Sequence, residues 1–231
     1  MGQLIYLDER RSERLRPDVV TPPLFFFDVS CPLSYLTAER IERKLGEVEW
    51  VPVDGASLRG AAPSPAGAGA SPETPADAWH ADPEWLGLRT RADSCARALR
   101  LPLVWPDRFP GGARCAQRAS TFACEIGAGA AFALAAARLA FCGGFDLDDP
   151  ETLAEAAAAA GVPLEECLSA AGETWRDEEL EANAAMLRAH GISELPAIRI
   201  ADQWFEGEAG LLAAGALIAG PTTVERLTAP G

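Results

Sequence analysis

The sequence predicts an α/β fold in which a βαβ half and a ββα half are separated by an all-helical insertion. Three observations predict it. Two short apolar runs, 24–29 and 48–53, flank one amphipathic helical segment. From about residue 85 to 191 the pattern is helical and rich in alanine. The period then returns to alternation over 196–205, and an apolar helix follows.

Residues 1–23 read as a polar N-terminal arm that Pro22 and Pro23 stop. Leu24 to Val29 is short and aromatic, which suits a strand buried on both faces. Cys31-Pro32 opens a helix to Leu45, with Leu33, Leu36, Ile41 and Leu45 on one face and Gly46 as its stop. Val48 to Val53 is the second strand, and short joins make the unit a right-handed βαβ. Fifteen of the 18 residues in 61–78 are Ala, Pro, Gly or Ser, so this segment reads as a mobile loop.

The insertion, 84–191, should hold five helical stretches. The first spans Arg91–Leu101, and a long one from Arg114 to Phe141 is divided by Gly127 and Gly129. A third starts at Asp149-Pro150-Glu151, where proline suits the first turn and acids the positive helix end. Val162-Pro163-Leu164 starts a fourth, and 177–190 is a fifth, closed by Gly191. Pro196 to Ile200 is a strand, 201–203 a turn, and Trp204-Phe205 the returning strand. The last helix, 207–218, should turn Leu211, Leu212, Gly215 and Ile218 inward. The order is that of a thioredoxin-like fold, with 24–58 and 193–220 forming the sheet domain.

Composition narrows the function classes. The 231 residues carry 20 Lys+Arg against 34 Asp+Glu, a net charge of −14. A phosphate-tracking nucleic-acid binder or an anionic-membrane binder needs a basic footprint, so neither partner is expected. No run approaches the ~20 apolar residues of a membrane span. The charged start shows no export signal, so a cytoplasmic location is expected. The six cysteines lie 64, 20, 9, 18 and 25 positions apart, with no CxxC pair, and no metal site is expected. In a reducing compartment Cys95, Cys115, Cys124, Cys142 and Cys167 read as buried apolar thiols. Trp79, Trp85 and Trp175 read as packing residues, His80 as a loop residue and His190 as a helix C-terminal cation.

Cys31 is the candidate nucleophile. It follows a buried strand and precedes a helix whose first residue is Pro32, so its thiol should face free amides that favour a thiolate. Ser34 stands where a dithiol centre has its second cysteine. Its hydroxyl either donates to the Cys31 sulfur or bonds backbone at the helix start. Without an adjacent resolving thiol, an adduct on Cys31 needs an external thiol for release. Leu195-Pro196 enters a strand, where a cis bond in a tight turn is one solution and an ordinary trans proline the other.

Cys31-Pro32-Leu33-Ser34-Tyr35-Leu36, Glu194-Leu195-Pro196-Ala197 and Trp204-Phe205-Glu206-Gly207 together resemble the DsbA-like thioredoxin family. The likeness is nearest to the branch of 2-hydroxychromene-2-carboxylate isomerases and kappa-class glutathione transferases. It continues through Trp105-Pro106, Phe109-Pro110 and Asp149-Pro150-Glu151. The resemblance implies a thiol-dependent oxidoreductase, or a glutathione-dependent isomerase or transferase, or else a binding module of the same fold. It implies glutathione as co-substrate, a small-molecule or thiol/disulfide substrate, and is compatible with a homodimer. Cys31 matches the disulfide oxidoreductases' nucleophile and the isomerases' serine. Pro196 matches the family's cis-proline, and the Leu195 backbone the contact with the glutathione cysteinyl portion. Pro32 borders that contact, while Gly207 and Glu208 match the helix start that receives the γ-glutamyl end. Where the isomerase branch has Asn after Phe-Pro, this chain has Gly111.

Overall fold

A computed structural model describes residues 21–60, 83–106, 108–111 and 113–219. The 61–78 loop, Trp79, His80 and most of the N-terminal arm lie outside the described residues. The chain runs β1 (Leu24–Phe27), α1 (Pro32–Ala38), α2 (Ile41–Leu45), β2 (Glu49–Pro52) and α3 (Gly55–Leu58). The insertion follows as α4 (Pro83–Leu99), α5 (Arg114–Glu125), α6 (Gly129–Gly143), α7 (Pro150–Ala160), α8 (Leu164–Gly172) and α9 (Arg176–Ala189). It closes with β3 (Ala197–Ile200), β4 (Gln203–Glu206) and α10 (Gly207–Ala219). The sheet order is β2-β1-β3-β4, with β1 parallel to β2 and the other two pairs antiparallel. This is the thioredoxin-like fold with its helical insertion.

The strand period of two sorts the core. Phe25 and Phe27 point to the side covered by α1 and the insertion, and both meet Trp50 edge-on. Phe26, between them, points to the other face, among Val53, Leu58, Leu187 and Leu195. An all-apolar strand therefore serves two cores, as a doubly covered sheet requires.

Helix ends follow their local chemistry. The Asp149 side chain caps α7 by accepting from Glu151 N–H at 2.9 Å, with Pro150 in the first turn. Gly144 and Gly161 end α6 and α7 in the left-handed conformation.

Three expectations need correction. The segment 32–45 is two helices, because Arg40 leaves helical geometry at φ −130° and its side chain pairs with Glu208. The first insertion helix begins at Pro83, eight residues earlier than expected, with Glu84 in its first turn, and stops before Arg100 at φ +57°. In α10, Leu211 and Ala214 are buried, whereas Leu212 and Ile218 are 58% and 46% exposed. Close approach sets that rotation: a Cβ at Gly210 would lie 2.9 Å from the Phe205 carbonyl carbon, so the glycine face must meet the sheet.

Candidate functional site

Antiparallel pairing of β1 and β3 builds the site. Phe26 opposes Ala197, so the chain leaving β1 meets the chain about to enter β3. Cys31 lies on the first and Leu195-Pro196 on the second. The Leu195–Pro196 bond is cis, and the Cys31 thiol donates to the Leu195 carbonyl at 3.7 Å. Residues 164 positions apart thus flank one cleft.

Cys31 is the N-cap of α1, at φ −95° and ψ 116°, with Pro32 as the first helical residue. Its own N–H donates to the Asp28 carbonyl at 3.0 Å, closing a tight turn. The expectation of a resting thiolate is corrected here. Burial pushes the thiol above its ordinary value, and the Asp28 carboxylate acts in the same direction. The amides of Ser34 and Leu33 and the Ser34 hydroxyl pull downward without prevailing. α1 has only 7 residues, and its N-terminal field does not offset the lost water around the sulfur. The surroundings thus favour the protonated thiol over the thiolate.

Ser34 bonds backbone at the helix start: it is buried, and its hydroxyl oxygen accepts from Asp28 N–H at 3.3 Å, while its hydroxyl also favours the Cys31 thiolate. Asp28 itself was not legible as a site residue. Its carboxylate is buried and accepts from Ser30 N–H at 2.8 Å, Ser30 hydroxyl at 2.7 Å and Gly55 N–H at 3.0 Å. It therefore ties the cysteine turn to the start of α3. The only sequence signal was an acid ending an otherwise apolar strand.

The cleft beside Cys31 holds about 100 Å³. Its walls include Arg59, Trp85, Arg91, Glu194 and Leu195. The Arg59 guanidinium lies over the Trp85 ring, 4.9 Å from its centroid, so Trp85 serves the cleft as well as packing. Arg91, from α4, reaches across to Glu194. Behind this wall Asp54 caps α3 and takes a hydrogen bond from Arg114 at 3.0 Å, both side chains almost fully buried.

Gly207 is held next to the cis bond, its N–H donating to the Pro196 carbonyl at 2.8 Å. Glu208 is committed to Arg40, and burial, helped by the Glu208 charge, pushes the Cys95 thiol up to about 11. Neither Gly207 nor Glu208 lines the Cys31 cleft, nor does the buried Pro32.

The remaining cysteines depart from their expected uniform burial. Cys167 is buried, Cys95, Cys115 and Cys124 are half-buried, and Cys142 is exposed, 3.1 Å from the Tyr35 hydroxyl. Trp175 is exposed too, with the buried Arg176 guanidinium 4.4 Å from its ring centroid. His190 caps α9 with its ring against Trp204. No group of three His, Cys, Asp or Glu side chains is placed to hold a metal ion among the described residues.

A family model for the DsbA-like thioredoxin domain matches residues 24–214. The chain belongs to the DsbA-like family. Solved structures share the fold at low identity. One is a 2-hydroxychromene-2-carboxylate isomerase, 14% identical with a TM-score of 0.68 over 90% of this chain and 99% of that one. Another, from Streptomyces coelicolor and described as a probable DsbA oxidoreductase, is 18% identical with a TM-score of 0.65 over 91% and 92%. No curated protein sequence matches. Within this DsbA-like chain, no described helix is long and apolar enough to cross a membrane.

Proposed function

We propose that this DsbA-like protein is a single-thiol oxidoreductase that acts on glutathione mixed disulfides at Cys31. The observation that carries the reading is the 3.7 Å contact between the Cys31 thiol and the Leu195 carbonyl beside Pro196, two residues that line the same cleft. The sulfur and a length of backbone able to pair with an extended peptide share one wall. In the reaction, Cys31 loses its proton and attacks the glutathionyl sulfur of R–S–S–G. The Cys31 S–S bond to glutathione forms, the RS–SG disulfide bond breaks, and the departing RS⁻ thiolate takes up a proton. A second glutathione then attacks the adduct, releasing oxidised glutathione and restoring Cys31. The balance is R–S–S–G plus GSH giving RSH plus GSSG, with no second cysteine required.

One observation favours a second reading, a glutathione-dependent isomerase. A protonated Cys31 can donate its S–H to a bound glutathione sulfur, the role that serine has in the isomerase branch. Glutathione is then the nucleophile, and Cys31 with Ser34 holds it. Turnover of a glutathionylated peptide separates the two. The oxidoreductase reading expects Cys31→Ser to abolish turnover and mass spectrometry to find a glutathione adduct on Cys31 of the unsubstituted protein. Glutathione-dependent activity that survives Cys31→Ser would move the assignment to the isomerase.

A further inference from the structure

Two of the arginines of this molecule hold a carboxylate side-on with Nε and Nη2. Arg118 grips Asp177 with Nε and Nη2 at 2.8 and 2.7 Å, and Arg138 grips Glu39 with the same two nitrogens at 2.6 and 2.8 Å. Both are the parallel two-nitrogen fork that matches guanidinium to carboxylate. Arg91 does otherwise. Its Nη1 alone donates to both oxygens of Glu194, at 3.1 and 2.8 Å. The pair is exposed, at 53% and 46% of the two side chains, so it adds little to stability and exchanges easily with other partners.

This pair closes the cleft beside Cys31. Arg91 stands on α4 and Glu194 next to the cis bond, and both line the cavity. At about 100 Å³ the space falls well short of the roughly 300–1,000 Å³ of small-molecule sites. A tripeptide thiol enters only if this bridge opens. The backbone at Glu194 need not move for that, because Glu206 accepts from the N–H groups of Ser193 and Glu194 and anchors the turn independently.

We propose that Arg91–Glu194 is an exchangeable latch and that Arg91 selects substrates carrying a carboxylate, which displaces Glu194 and takes the forked geometry that Glu194 leaves unmade. The proposal rests on the reading of Cys31 as the reacting thiol and names the charge class of its substrate: an anionic thiol or disulfide, of which glutathione is one.

The two partners then have opposite effects on an anionic reagent and on glutathione affinity, and the neutral reagent controls for access to Cys31. The test is Cys31 alkylation, followed by peptide mass spectrometry, with iodoacetate and with neutral iodoacetamide. Glu194→Gln frees Arg91 and should raise the iodoacetate-to-iodoacetamide rate ratio several-fold. Arg91→Gln should lower it. Calorimetry with glutathione should follow the same order, tighter for Glu194→Gln and about tenfold weaker for Arg91→Gln, the size of one charge-assisted hydrogen bond. Ratios that move together, or stay put, overturn the latch. Ratios that diverge while glutathione fails to bind keep the latch for another carboxylate substrate and remove glutathione from the functional reading. A Cys31 that neither reagent reaches overturns the thiol reading, and the order of glutathione affinities then decides the latch.

Discussion

Two arginine-rich regions stand on either side of α3, and they use the same chemistry for opposite ends. On one side is the cleft, where Arg59 and Arg91 face water and pair loosely with Glu84 and Glu194. On the other is the seam of α3, α5 and α9, where Arg114 and Arg118 are buried against Asp54 and Asp177. A guanidinium sealed from water must keep its carboxylate, since losing either partner strands a charge in a poor solvent. A guanidinium at the surface loses little by changing partner. The seam is therefore framework and the cleft is exchangeable, and their closeness lets a rigid wall carry a replaceable contact.

Substitution at the seam is the strongest way to break this contrast. Arg114→Ala should cost about 3–5 kcal/mol in chemical denaturation, because Asp54 is left charged and buried. A cost within 1 kcal/mol would mean that the seam behaves like the cleft. Next is the junction of the two regions. A Cβ at Gly55 would lie 2.8 Å from Asp28 Oδ2, so Gly55→Ala must shift a buried, fully bonded carboxylate, at about 1–3 kcal/mol. Unchanged denaturation would show that Asp28 is not fixed.

Thiol titration sharpens the comparison further. Burial, aided by nearby carboxylates, pushes Cys124 up to about 12 and Cys115 up to about 11, while an unfolded thiol ionises near about 8.5. Their stabilising share is whole below that unfolded value and falls as pH rises toward the folded ones. Melting temperature should thus decline above about pH 8.5, and a flat profile to pH 11 would contradict the burial of these thiols. In the cleft, Asp28→Asn removes a charge that holds the Cys31 proton on, so the alkylation profile of Cys31 should move to lower pH. A profile that stays or rises would remove Asp28 from the account. The smallest effect belongs to Arg91→Gln, whose stability should stay within about 1 kcal/mol of the unsubstituted chain.

Much of the frame was legible along the chain. The acid and proline at 149–150, Gly191 as a left-handed stop, and Cys31 directly before a proline-led helix are local patterns with local causes. The helix starting at Pro83 was half missed, because its apolar stripe is thin: only Ala92 and Ala96 are buried. The rotation of α10 was misread for the opposite reason, since a helix apolar on every side gives periodicity nothing to choose between. At the site, Cys31 and Pro196 could be picked out as types, but Asp28, Arg91 and the seam could not, because their partners lie 27 to 103 positions away.

The sequence by itself determined the order of strands and helices, the sulfur at the head of α1, and the proline that enters β3. These rest on backbone preferences and on fields that fade within a turn of helix. Folding alone decided whether that sulfur is charged, since desolvation and the Asp28 carboxylate depend on what packs around it. It also decided which arginines are framework and which can change partner, because burial, and not residue type, sets the cost of separating an ion pair.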